Sequence, residues 1–343
     1  MRVLVTGHRG YIGAILAPSL KAAGHDVVGL DSDLYRGCTF GAEAANGIPS
    51  IERDVRDVEV ADLEGFDAVV HLAALSNDPL GALDETLTYD INHRAAVTLA
   101  AQARAAGVER FVFSSSCSNY GASGGDELLD ERAPVRPVTA YGISKVLVER
   151  DVSDLADDSF SPTFLRNATV YGVSPRLRLD IVVNNLVAWA FTTGKVRLQS
   201  DGTPWRPLVH VADVCRAFVA VLEAPRELVH GEAFNVGGTD ENYRIREVAE
   251  IVAETVPGSE LSFAPGASAD VRDYRVSCAK IAGRLGFEPH WTVRDGAREH
   301  YEAYRDLGLT TADLEGPSYL RLVRIRELLA DGRLAPDLRW AGA

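Results

Sequence analysis

The chain has 343 residues, with 49 acidic against 35 basic side chains and a formal charge of −14, a balance that excludes the basic face of a nucleic-acid binder but not a small anionic ligand. Its 46% of hydrophobic residues can fill the core of one large α/β domain or of two lobes. No apolar stretch is long enough to span a bilayer, and the four cysteines (Cys38, Cys117, Cys215, Cys278) lack C-x-x-C spacing, so they read as reduced thiols of a cytoplasmic protein without a metal site.

In chain order, Arg2–Val5 reads as a strand and Tyr11–Ala23 as a helix that Gly24 ends. Between them lies Gly7-His8-Arg9-Gly10-Tyr11-Ile12-Gly13. Gly7 allows a tight exit from the strand, Gly10 a close approach of backbone N–H groups to a pyrophosphate, and Gly13 the packing of the helix. The diphosphate of a dinucleotide then meets the helix N-terminus, with Tyr11 and Ile12 beside it. A second strand, Asp26–Leu30, ends at Asp31, whose carboxylate suits both hydroxyls of an adenosine ribose and repels a 2′-phosphate, so NAD is favoured over NADP. Ile51–Val55 reads as a third strand running into a turn, where Asp54, next to Val55, either bonds the adenine amino group or caps the next short helix. Ala68–Ala74 is a fourth strand whose small ending, Leu72-Ala73-Ala74, lets a flat cofactor lie across the sheet edge. The loop Ser76-Asn77-Asp78-Pro79 follows at the end of the sheet where such folds place their ligands. Thr86–Ala106 is a long helix carrying Asn92, and Arg110–Phe113 is a fifth strand. This alternation predicts a Rossmann-type, doubly wound parallel sheet.

The chemistry gathers after the fifth strand, at Ser114–Gly121 and at Tyr141-Gly142-Ile143-Ser144-Lys145, which opens a helix. Tyr141 and Lys145 are four residues apart and share a helix face. A free tyrosine, with a pKa of about 10, is too weak a base at neutral pH, and an adjacent ammonium and a cationic nicotinamide both favour its phenolate. A serine nearby can hydrogen-bond the same substrate oxygen, and such a set can take a proton from a sugar hydroxyl. Any single Tyr-x-x-x-Lys also arises by chance on an amphipathic helix, so the pair gains meaning only with its neighbours.

Taken in order, the glycine triplet, Asp31, Ser116 and Tyr141/Lys145 resemble the extended short-chain dehydrogenase/reductase family, and within it the nucleotide-sugar epimerases and dehydratases. The resemblance covers nearly the whole chain. It implies Tyr141 as base, Lys145 on the nicotinamide ribose and Ser116 as helper, with Asn92 also on the cofactor side. Residues 1–172 then form the NAD-binding core, completed by about 207–237, and 173–206 with 238–343 form a nucleotide-sugar lobe and C-terminal helices. For the substrate it implies Ser76, Asn77, Ser116, Cys117, Ser118, Thr169, Asn185, Arg206, Arg272 and Tyr274, with Arg206 on the diphosphate as a fork-shaped donor. A homodimer through the helices at Thr86–Ala106 and Tyr141–Leu155 is also expected from the family.

Several positions depart from the family pattern. The acidic pair that 4,6-dehydratases carry just after the catalytic serine or threonine is Cys117 and Ser118 here. Cys117 follows Ser116 directly, one residue short of the acid–base cysteine of 3,5-epimerases, and reads as a small pocket or core residue. A usual asparagine is Thr169, and a usual arginine before the Asp270 position is Ala267, leaving Arg166, Arg176, Arg178 or Arg272 as substitutes for lost phosphate contacts. The tail 292–343 is patterned as helical, and Leu320–Leu329 as an amphipathic helix packed on its own subunit. The expectation is an NAD-dependent nucleotide-sugar epimerase acting at C4, against a 4-ketoreductase or dehydrogenase, a 4,6-dehydratase with unusual acid–base groups, or a non-catalytic NAD sensor.

Overall fold

The computed structural model describes residues 1–41, 47–121, 127–198, 200–263 and 272–342. Seven strands form one parallel sheet: β1 (Arg2–Thr6), β2 (Asp26–Asp31), β3 (Ser50–Glu52), β4 (Ala68–His71), β5 (Arg110–Ser116), β6 (Ser161–Asn167) and β7 (Ala233–Val236). Their order is β7-β6-β5-β4-β1-β2-β3. The chain builds outward from β1 to β3, then returns to place β4 on the other side of β1, and the crevice at that reversal is where a ligand is seated. Val3, Leu4 and Val5 have no exposed surface, as expected of strands covered by helices on both faces.

The helices follow from the same patterning. α1 (Gly13–Ala22) packs against α5 (Val211–Glu223) on one face of the sheet. On the other face lie α2 (Ala95–Ala105) and α3 (Ala140–Ser153), the latter capped by Thr139 Oγ1, which accepts from the Gly142 N–H at 3.1 Å. The long helix expected over Thr86–Ala106 is interrupted: Glu85–Tyr89 is α-helical, Asp90–Arg94 is a π turn, and α2 follows. A π turn adds a residue to the helical ladder and redirects the side chains on it.

A smaller layer is assembled from the segments between and after the core strands. Thr169–Tyr171 and Trp205–His210 pair in parallel, with Asn242–Arg244 antiparallel on the far side. Lys195–Leu198 pairs with Glu260–Phe263. Helices α4 (Val182–Thr193), α6 (Ile245–Thr255) and α7 (Val293–Leu307) close a second core that contains Leu177, Leu186, Val196, Val252 and Tyr304. The last helix, α8 (Arg321–Ala330), turns its buried side, Ile325 and Leu328, back onto Leu75, Leu80 and Ile91 of the sheet layer. Among the described residues no helix is long and apolar enough to cross a membrane, and no cluster of His, Cys, Asp or Glu is placed to hold a metal ion.

Candidate active site

One cavity of about 750 Å³ runs along the carboxyl ends of β1, β2, β4 and β5 and under the second layer. Its first half is built by the glycine turn. Gly7 has φ +72°, which lets β1 turn at once into the loop, and its N–H donates to the Leu30 carbonyl at 2.8 Å. A Cβ on Gly7 would lie 2.8 Å from the Ala73 nitrogen, and one on Gly13 would lie 2.2 Å from the Gly7 oxygen, so side chains at these positions would fill or break the cradle. Gly10, Tyr11 and Ile12 line the same wall, as do Leu72, Ala73 and Ala74 opposite. The Tyr11 hydroxyl donates to the Gly172 carbonyl at 2.5 Å and receives Asn184 Nδ2 at 3.2 Å, tying the turn to the second layer.

Asp31 stands at the tip of β2 on the cavity wall, its carboxylate receiving the N–H groups of Arg9 at 2.9 Å and Asp33 at 2.8 Å, while burial pushes its pKa up. Asp54 does cap a short turn, Val55–Asp57: it accepts the Arg56 N–H at 2.9 Å and pairs with the Arg56 guanidinium at 2.7 Å. Against the upward pull of burial, those bonds hold it below the ordinary carboxylate value. Asp54 and Val55 both face the cavity. A cradle that only hydrogens fit, with a buried carboxylate past it, matches the pyrophosphate and adenosine of NAD. Asn92 is corrected: it is 1% exposed and off the cavity wall, and its amide is spent on both backbone groups of Leu75, at 2.8 and 3.1 Å. It fixes the loop after β4 from behind.

The reactive trio meets midway. β5 runs to Ser116 rather than stopping at Phe113, and Ser116 Oγ accepts the Ser118 N–H at 3.1 Å, with Ser116 and Tyr141 both lining the cavity. Lys145 Nζ donates to the Ser114 carbonyl at 2.8 Å and lies 4.5 Å from the Phe113 ring centre and 5.7 Å from that of Tyr141. Burial lowers the Lys145 pKa to about 7, opposed by Glu149 one turn along. Tyr141 moves the other way from the expectation of an activated phenol. Burial, then the Asp78 carboxylate, push it up to about 12, and the Ser116 hydrogen bond and the Arg178 guanidinium only partly counter this. In the protein alone Tyr141 is therefore protonated at neutral pH. Behind the trio, Glu149 accepts Asn119 Nδ2 at 2.8 Å and Arg166 Nη2 at 2.6 Å, a buried pair that braces β5, α3 and β6 together.

The second half of the cavity is lined by Ser76, Asn77, Ser118, Thr169, Asn185, Arg206 and Arg272. Arg206 donates to the carbonyls of Trp205 and Arg272, and Arg272 pairs with Asp78. Two expected contacts lie behind the wall. Cys117 is 1% exposed, its Sγ 3.1 Å from the Arg166 carbonyl, and burial pushes its thiol well up, so it is a core residue. Tyr274 is 3% exposed, with its ring centre 5.7 Å from the Arg206 guanidinium, which it supports. Of the substitute arginines, Arg166 is engaged with Glu149 and Arg176 with the Tyr35 carbonyl at 2.7 Å and with Asp33, both off the cavity wall, whereas Arg178 and Arg272 are on it. Ala267 and Asp270 lie outside the described residues. Sequence reading missed Asp180, which binds Arg178 at 2.9 Å and Asn77 at 2.8 Å, and Arg197, Leu198 and Ile245 on the far wall. These come from short segments without a motif: Arg197 and Leu198 lie on a strand paired with Glu260–Phe263, Ile245 opens α6, and Asp180 precedes α4.

A doubly wound sheet, a glycine cradle and a Ser–Tyr–Lys set at the sheet's edge define a dinucleotide-dependent enzyme. Residues 3–237 match the NAD dependent epimerase/dehydratase family, and the chain belongs to it. It is similar to UDP-glucose 4-epimerase of Mycolicibacterium smegmatis, with 31% identity over 89% of this chain and 99% of that one. Among solved structures it is similar to MoeE5 in complex with UDP-glucuronic acid and NAD (28% identity, TM-score 0.78, 89% of this chain and 99% of that one). It is also similar to DesIV, a dTDP-glucose 4,6-dehydratase from Streptomyces venezuelae with NAD and TYD bound (26% identity, TM-score 0.78, 93% of this chain and 100% of that one).

Proposed function

We propose that this enzyme is an NAD-dependent epimerase inverting C4 of a nucleoside-diphosphate hexose. The observation that carries the reading is the position of Ser116, Tyr141 and Lys145 where the glycine-cradled half of the cavity meets the arginine-lined half. NAD bound in the first half supplies reversible acceptance of the C4 hydrogen with its electron pair, and a positive ring that favours phenolate at Tyr141. Tyr141 takes the C4 hydroxyl proton and later returns it. Ser116, whose Oγ accepts the Ser118 N–H, has one hydroxyl proton to share between Tyr141 and the C4 oxygen. Lys145 holds the nicotinamide ribose hydroxyls and adds positive charge beside the phenol. Arg206 and Arg272 receive the diphosphate by exchanging their present carbonyl and carboxylate partners for phosphate oxygens. The cavity then lets a 4-keto sugar turn and present its other face.

Dehydration needs a donor and base at the two positions after Ser116. Cys117 is buried against the Arg166 carbonyl, and Ser118 supplies a hydroxyl where those enzymes carry an acidic side chain. Membership of the family supports a homodimer through the helices at Thr86–Ala106 and Tyr141–Leu155, which sedimentation of the purified protein tests. For the activity, a panel of nucleoside-diphosphate sugars is incubated with enzyme and no added reductant, and the products are separated by chromatography and their masses measured. A new isomer of unchanged mass is expected, absent with Tyr141→Phe, which still binds NAD. A product lighter by one water identifies a dehydratase and refutes the proposal.

A further inference from the structure

Among the described residues only two other than glycine hold a left-handed backbone, Asp33 (φ 51°) and Leu338 (φ 64°). The two sit in segments that touch. Aspartate tolerates this conformation, but for leucine the Cβ is crowded against the following carbonyl, so the surroundings must impose it. They do. Trp340 Nε1 donates to the Ser32 carbonyl at 2.6 Å, and Arg56 Nη1 donates to the Asp337 carbonyl at 2.9 Å. Arg339 pairs with Asp57 through both terminal nitrogens, at 2.5 and 2.9 Å. Leu334 and Trp340 form an antiparallel bridge that closes the loop on itself. The end of the chain is thus anchored on the segments that follow β2 and β3, which carry Asp31 and Asp54. Leu338 is 1% exposed, packed in the cluster of Ile325, Leu328 and Leu334, and it borders the cavity that Asp54 and Val55 also line.

We propose that the C-terminal segment 334–342 completes the adenosine half of the NAD site, with Leu338 as the apolar surface against the adenine ring. The inference rests on the NAD reading above. The left-handed residue stands at the point where the segment borders the cavity. Arg56 has a double task, since one guanidinium bonds both Asp54 at the site and Asp337 of the tail. Cofactor entry and exit then require this segment to lift, so bound NAD is retained for as long as the tail stays docked.

Calorimetry on the full-length protein tests this with NAD, ADP-ribose and nicotinamide mononucleotide as ligands. Leu338→Ala is expected to weaken NAD and ADP-ribose by about tenfold or more, the effect of losing a buried apolar contact, and to leave the mononucleotide unchanged. Equal NAD affinity in wild type and variant overturns this inference alone. A wild-type protein that binds no NAD overturns the functional reading and this inference with it. Because Leu338 also packs against Leu334 and Ile325, a second measurement uses unaltered protein: hydrogen exchange of the Leu338 and Ala341 amides, which donate to Ala335 and Arg333 carbonyls at 2.8 and 2.9 Å. ADP-ribose is expected to slow both severalfold, and an unchanged rate overturns the proposal.

Discussion

Lys145 carries a charge penalty that can be measured. Its side chain is 3% exposed, beside the Phe113 ring, with a single carbonyl, that of Ser114, receiving its ammonium. The neighbouring His71, itself lowered by burial to about 3, offers no negative charge, and Glu149 helps from one turn away. Burial thus takes the lysine from its ordinary 10.5 to about 7. That difference is worth about 4–5 kcal/mol against the folded state wherever both forms are protonated. Its sign is fixed: the unfolded chain holds this proton more tightly, so the penalty is full below about pH 7 and is relieved as pH rises toward 10.5. From about pH 7 to about pH 9 this one group should add about 2 kcal/mol of stability to the cofactor-free protein. Lys145→Met keeps the volume and removes the charge. Urea unfolding of both proteins across that range should show the variant more stable at pH 7 and lacking this part of the rise. Identical pH slopes would mean that Lys145 titrates as an ordinary lysine and would refute the reasoning. A buried charge held at a cost to stability is what the role proposed for Lys145 requires.

Gly13→Ala should destabilise the protein by roughly 1–3 kcal/mol or more, read by thermal unfolding, and weaken NAD, because its Cβ meets only backbone, the Gly7 oxygen and His8, and neither can swing aside. Arg166→Met leaves the Glu149 carboxylate buried without its cation and should cost about 3–5 kcal/mol in urea unfolding, although neither residue touches the cavity. Arg206→Ala should raise KM for a nucleoside-diphosphate sugar by about 10- to 100-fold with a smaller effect on kcat, since it removes a charged donor to a remote part of the substrate. A loss confined to kcat would place Arg206 elsewhere in the cycle.

The sheet was legible because parallel strands buried on both faces are nearly unbroken apolar runs, as in Val3-Leu4-Val5 and Ala68-Val69-Val70. β5 extends three residues past Phe113 because the polar Ser114, Ser115 and Ser116, loop-like in sequence, find partners in Asn167 of β6, Glu149 of α3 and the Ser118 N–H. The trio was legible because a helix turn and a strand end fix spacing in one dimension. Asn92, Cys117 and Tyr274 show the limit of that argument: sequence position brought them close to the cavity, but whether they face it depends on a π turn, on a carbonyl across β6 and on the Arg206 side chain. The role of the tail was hidden for a different reason. Leu334–Trp340 has no helical or strand period, and its contacts lie some 280 to 308 positions earlier in the chain.

The sheet is not finished in the order in which it is made. All seven residues of β6 are buried in the folded chain, yet its outer neighbour β7 starts 66 residues beyond Asn167. At a synthesis rate of about 5–20 residues per second, the ribosome needs roughly 3–13 s to deliver that strand. During this interval the hydrogen-bonding groups of Phe164–Asn167 that later meet Ala233–Val236 form an open edge, the kind of surface on which chains pair with one another. The intervening polypeptide also carries Arg178, Arg197 and Arg206 of the cavity wall, so much of that wall is synthesised before the strand that closes the sheet.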